Sequence, residues 1–133
     1  MAERIRIIAV NGALIVCISL LLFLGTTWWR MATQFAMGED ALARGDFAGA
    51  VAGYESAIHM YIPAHPLVER AAQRLWGIGE ANERLGDVTR ALIAYRSLRS
   101  SFYAAKWLKT PGREWIARCD GKIAALVPLQ QER

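Results

Sequence analysis

At 133 residues the chain has room for one soluble domain and no more. Its mean hydropathy of +0.18 is high beside 21% charged residues, and one uncharged segment accounts for much of it. Two cysteines near opposite ends, Cys17 and Cys119, exclude a disulfide framework and a C-x-x-C pair, and the small formal charge of +4 is the remainder of two oppositely charged halves.

The uncharged segment comes first. From Ile7 to Trp29, "IIAVNGALIVCISLLLFLGTTWW", there are 23 residues without a charge. As a helix they span roughly 35 Å, against about 30 Å for a bilayer core. Arg4 and Arg6 precede the run, and Trp28, Trp29 and Arg30 follow it in the manner of an interfacial belt. The run is long for a cleaved signal peptide and no A-x-A pattern follows. Cys17 follows Val16 where a lipoprotein site needs a small residue. The reading is an uncleaved anchor. Arg4 and Arg6 outweigh Arg30, which predicts a cytoplasmic N-terminus and a domain across the membrane, periplasmic in a bacterial inner membrane. Within the run, Asn11 offers a hydrogen bond to a neighbouring helix or to the interface, and Ala9, Ala13 and Cys17 form a small-residue stripe.

No Gly/Ser/Pro-rich linker follows Arg30, so the anchor feeds the soluble part directly, as one helix hinged near 25–27. Apolar spacing and punctuation predict five soluble helices and no alternating β pattern. The first covers Met31–Arg44 and stops at Gly45, and the second covers Phe47–Met60. "YIPAHP" breaks the chain. The third covers Pro66–Leu85 with His65 as its cap, and the fourth Val88–Phe102. The fifth is capped by Thr110, opens on Pro111 and stops at Pro128. In that helix Ile116, Cys119, Ile123 and Leu126 form an apolar stripe, which makes Cys119 a small buried thiol. The organisation is thus an anchor over 1–30, a helical domain over 31–127 and a tail over 128–133.

The domain writes one pattern twice. "GEDALARGDFAGAVAGYESAI" begins at Gly38, "GEANERLGDVTRALIAYRSLR" at Gly79, and seven of 21 positions are identical. Each unit reads helix, Gly-Asp turn, helix. Gly38 and Gly79 lie mid-helix, where Gly costs about 1 kcal/mol relative to Ala, which is tolerable where another helix approaches closely. Gly45 and Gly86 can take the left-handed conformation that ends a helix. Ala50 and Ala91 are small where the second helix crosses the first, and Tyr54 and Tyr95 fill the gap one turn on.

These features resemble the tetratricopeptide repeat family. The first unit carries its small mid-helix residue, turn Gly with a following aromatic, Ala, aromatic, Ala and closing Pro as Gly38, Gly45, Phe47, Ala50, Tyr54, Ala57 and Pro63. The second carries Gly79, Gly86, Ala91 and Tyr95, and departs with Val88, Leu98 and no closing Pro. The period is 41 rather than the family's ~34, the extra residues falling at the front of the third helix. The resemblance covers about residues 31–103 and implies an all-α fold: a single transmembrane helix, then an α-α solenoid of two helix-turn-helix repeats and a capping helix. It further implies a groove lined by Phe35, Glu39 and Leu42 of the first soluble helix and by Trp76, Glu80, Glu83 and Arg84 of the third, suited to an apolar segment bearing Arg or Lys. The competing expectation is that Phe35 and Trp76 pack on each other or on the fifth helix.

Charge is segregated. Residues 31–87 carry four basic and eight acidic side chains, and residues 88–122 carry eight basic and two acidic. A basic-aromatic tract combines Arg96, Arg99, Lys106, Trp107, Lys109 and Arg113. Solvated helix faces and contact with lipid headgroups or an acidic protein are the main readings of it; nucleic acid is not expected across a membrane. Self-association of acidic half against basic half is a further expectation. His59 and His65 make at most half a metal site, and no catalytic set, phosphate loop or cofactor motif is seen. The expected role is a single-pass protein-interaction module, an accessory or scaffold subunit of an envelope complex that docks a membrane-associated protein, and not an enzyme. The alternative is a holdase-like or translocon-associated factor binding unfolded clients.

Overall fold

A computed structural model describes residues 1–106 and 110–132. It contains five helices: α1 Ala2–Ala43, α2 Phe47–His59, α3 Pro66–Arg84, α4 Val88–Ala104 and α5 Arg113–Gln131. There is no strand among the described residues.

α1 merges the expected anchor and the first soluble helix into one 42-residue helix. It is long and apolar enough to cross a membrane, and no residue of its most apolar window is buried. The helix passes through Gly25 without a break. Thr26 and Thr27 donate their hydroxyls to the carbonyls of Leu22 and Phe23 at 2.8–2.9 Å, so neither leaves a donor bare in the apolar stretch. Burial starts at Met31 and recurs at Phe35, Gly38 and Ala41, the spacing of one helix face.

The Gly-Asp dipeptides perform two tasks each. Gly45 (φ 72°) and Gly86 (φ 73°) take the left-handed conformation. Around them Asp46 N–H donates to Ala41 O and Gly45 N–H to Leu42 O; in the second unit Asp87 N–H donates to Asn82 O and Gly86 N–H to Glu83 O. This doubly bonded stop satisfies carbonyls that the helix end would otherwise leave open. The aspartates then start the next helix, accepting from Gly49 N–H at 2.9 Å and Arg90 N–H at 3.0 Å. His65 caps α3 as expected, its Nδ1 accepting from Leu67 N–H at 3.2 Å.

α5 corrects the sequence reading at both ends. The residue before it is Gly112 (φ 66°), not Thr110. A side chain at Gly112 would also collide with the Phe102 ring. At the other end Pro128 lies inside the helix, which continues to Gln131. The N–H that proline lacks would have served the carbonyl of Ala124, an exposed residue where water can replace it. Buried Leu126 holds this last stretch in place.

Each helix packs on its neighbour in sequence, α4 also reaches α2, and α1 touches α3. Pairing directions follow from the contacts. Phe35 meets Tyr54 and Gly49 faces Ala41, so α1 and α2 are antiparallel. Arg99 meets Asp120 while Phe102 faces Gly112, so α4 and α5 are antiparallel too. Phe35 with Arg70 and Glu39 with Arg74 run parallel between α1 and α3, as do Glu69 with Trp115 and Glu83 with Lys122 between α3 and α5. The core is centred on Met31, Tyr54, Ile58, Leu75 and Leu98, and a second cluster around Leu92 and Tyr95 joins it through Trp76 and Ile123.

Candidate functional site

The glycine notches hold the tyrosines. A Cβ at Gly38 would sit 3.0 Å from the Tyr54 ring, and one at Gly79 would sit 2.5 Å from the Tyr95 ring. Both tyrosines are fully buried, and each aims its hydroxyl at a carboxylate. Tyr54 donates to Glu39 Oε1 at 2.6 Å and Tyr95 to Glu83 Oε2 at 2.9 Å. Each glutamate is bridged in turn to the helix of the following unit. Arg74 of α3 forks onto Glu39 at 2.7 and 2.9 Å, and Lys122 of α5 meets both oxygens of Glu83 at 2.8 and 3.1 Å. The result is two tyrosine–carboxylate–cation clasps, one between α1, α2 and α3 and one between α3, α4 and α5.

Burial opposes ionisation of Glu39, but the Tyr54 hydrogen bond and the Arg74 guanidinium outweigh it and hold the carboxyl below its ordinary 4.5. For Glu83 the Lys122 ammonium is the largest influence, burial opposes it and the Tyr95 hydroxyl assists, again lowering the pKa. Burial first, then the glutamates, raise both tyrosines, which stay neutral donors. The consequence for stability has a definite sign. A carboxyl with a depressed folded-state pKa stabilises the fold above its unfolded value and loses that contribution as pH falls through the folded one. Thermal stability is therefore expected to be level from neutrality down to about pH 5 and to drop below 4.5. In Glu39→Gln/Glu83→Gln, monitored by circular dichroism, the neutral-pH fold loses about 1 kcal/mol per site and the acid limb shallows; an unchanged acid limb would refute the assignment.

Of the seven expected groove residues, four are engaged within the chain. Phe35 is buried edge-on to Tyr54 at 5.5 Å, with Arg70 over its other face. Trp76 is half-buried, tilted against Tyr95 at 4.9 Å and Trp115 at 6.0 Å. The Arg118 guanidinium covers both indoles at 4.3 and 4.5 Å. Trp76 takes the expected contact with the fifth helix, whereas Phe35 takes neither expected partner and packs on Tyr54 of α2. Glu39 and Glu83 belong to the clasps. Leu42 and Arg84 are exposed and Glu80 is half-exposed. Glu80, Glu83, Arg84 and Lys122 line a shallow recess of about 320 Å³.

Trp115, Arg118 and Lys122, which complete this surface, were not singled out from sequence. Their spacing of three and four residues put them on one face of α5, beside the stripe that contains Cys119, and that was the available signal. Burial pushes the Cys119 thiol up to about 12, with Asp120 assisting, so it packs as an apolar group. In the basic-aromatic tract, Arg96, Lys106 and Arg113 are exposed, and Arg99 is ion-paired to Asp120 at 2.7 Å without an aligned hydrogen bond. Trp107 and Lys109 lie outside the described residues. His59 lies 3.9 Å from Glu55, and no three His, Cys, Asp or Glu side chains among the described residues gather as a metal set. Compared with family models, curated proteins and solved structures, the chain matches none.

Proposed function

We propose that the chain is a single-pass, membrane-anchored protein-interaction module, an accessory subunit of an envelope complex. In this reading α1 crosses the inner membrane with its N-terminus cytoplasmic, and the helix pairs beyond Met31 form a tetratricopeptide-like stack capped by α5. The observation that carries it is continuity. One helix passes from a wholly exposed apolar stretch into the first unit, and that unit's notch, stop and clasp recur in the second. Those repeated features are what the family's helix pairs use to stack, and they favour a rigid surface held next to the lipid.

The docking surface is the part of the expected groove still open: Leu42, Glu80 and Arg84 with the recess beside Lys122. A mixed-charge rim of this kind suits a fixed, polar partner segment. The client-binding alternative relied on an aromatic groove, and the packing of Phe35 and Trp76 weighs against it. Crosslinking with mass spectrometry in native membranes tests the proposal. Leu42→Asp/Glu80→Lys/Arg84→Glu is expected to remove the main crosslinked partner while the far-ultraviolet spectrum is unchanged. An identical partner set from a folded variant would overturn the docking surface. Trp76→Ala is a poor substitute, since losing the indole from this packed cluster costs roughly 3 kcal/mol.

A further inference from the structure

α1 passes from Trp29 to Met31 without a loop, so the near end of the folded part stands at the height of the tryptophans. Chain direction decides which loops lie at that end. α2 and α4 return toward the apolar run while α3 and α5 leave it, which puts the connection 60–65 and, of the later one, the described residues 105–106 and 110–112 nearest the anchor. The turns at Gly45 and Gly86 are at the far end. A direct contact fixes the height: the Trp28 ring stands edge-on to His65 at 5.8 Å. A cavity of about 260 Å³ joins the two connections, walled by Tyr61, Ile62 and His65 from one and by Phe102, Pro111 and Gly112 at the other.

The sequence around this end is rich in basic residues. From Arg96 to Arg113 the sequence has five basic residues and no acidic one. Lys106 and Arg113 are exposed, and no ion pair among the described residues engages either. Arg30 is exposed at the foot of the domain, and Tyr103 is 47% exposed beside Lys106. Four acids share the region: Glu69, which accepts the Trp115 indole N–H at 3.0 Å, Asp120, paired to Arg99 at 2.7 Å, Glu55, which accepts from the Ser97 hydroxyl at 2.7 Å, and exposed Glu114.

We infer that this end of the domain, through Lys106, Arg113 and Arg30, rests on the anionic headgroups of the bilayer that holds the anchor. The inference depends on α1 spanning that bilayer. The tether removes the search for a surface, and charge then determines whether the domain lies on it or stands off. Each Lys or Arg close to an anionic leaflet favours contact roughly fivefold, within a screening length of about 10 Å. Arg30 is fixed there by α1, so Lys106 and Arg113 decide the tilt.

The test uses the full chain with Cys17→Ser and a fluorophore at Ala104→Cys, an exposed site in the last turn of α4; Ala43→Cys at the far end is the control. The chain is placed in nanodiscs of phosphatidylcholine alone or mixed with phosphatidylglycerol, with a headgroup-attached quencher. Strong quenching at position 104 in the anionic discs is expected, lost at high salt and weak in phosphatidylcholine, with little at position 43. Lys106→Gln/Arg113→Gln should lower the docked-to-undocked ratio by roughly thirtyfold. Equal quenching in both lipids, unmoved by the double variant, overturns the inference while leaving the anchor reading intact. A chain that fails to insert, and washes off in alkaline carbonate, sinks both.

Discussion

Ile18→Arg/Leu21→Arg should release the chain from membranes. Both residues lie near the middle of the uncharged run and both are exposed, Ile18 at 49% and Leu21 at 70%. An arginine at the centre of a spanning helix costs about 2.5–3.5 kcal/mol on insertion scales, hence about 5–7 kcal/mol for the pair. The side chains contact nothing in the folded part, so its own melting should be unaffected. The measurement is the fraction of chain left in the pellet after an alkaline carbonate wash, compared with the unmodified protein. Retention of the double variant in the pellet would mean that the apolar half of α1 is covered by something other than lipid. An exposed apolar surface of this length demands a cover in any case.

Two glycines in α3, two residues apart, should respond to the same substitution with opposite sign. Gly77 faces open space, with nothing within 4 Å of a built Cβ. Gly77→Ala should therefore gain about 0.5–1 kcal/mol from helix propensity and lost unfolded-state freedom. At Gly79 the same methyl would lie 2.5 Å from Tyr95 Cε1. That ring cannot yield easily: it is fully buried, leans on Trp76 and is tied to Glu83 through its hydroxyl. Overpacking costs about 1–3 kcal/mol and outweighs the propensity gain, leaving Gly79→Ala down by about 1–2 kcal/mol. Gly53→Ala should be worse, since its methyl would lie 2.6 Å from the backbone of Gly38 and two helices would have to part. In thermal melts in detergent, Gly77→Ala and Gly79→Ala should differ by ~10 °C or more for a domain of this size. Equal shifts of the same sign would show that the notch does not grip the tyrosine.

The notch, the turn and the tyrosine were legible because they are local. A mid-helix glycine is unfavourable unless something fills its place, and its recurrence 41 residues on, at a fixed distance from a tyrosine, identifies the filler. The same holds for the helix stops, where only left-handed backbone follows and glycine adopts it without strain. The end of α5 was misread for the converse reason. Proline near a helix terminus is read as a stop, but Leu126 is anchored on α4, and a missing N–H one turn from the end costs little beside that burial.

The clasps and the filled groove were not legible. Glu39 and Glu80 occupy equivalent places in the two units, yet Tyr95 bonds Glu83, one helical turn further on. Repeat alignment alone does not identify that carboxylate, because Lys122 of α5, 39 residues further along the chain, meets both oxygens of Glu83. Likewise Trp76 could line a groove or pack beneath a cap, and its own sequence neighbourhood is the same in both cases. Arg118 and Trp115, some forty residues away, decide that.

By itself, then, the sequence determined a long apolar rod that leads directly into short helices, where α2, α3 and α4 begin, and that Gly38 and Gly79 must stay small. Those properties follow from hydropathy, backbone conformation and capping within a few residues. Only the tertiary structure decided which charges and aromatics remain outward-facing. That outcome depends on how α5 lies across α3 and α4, and a few side chains meeting across forty residues leave no periodic trace in the chain.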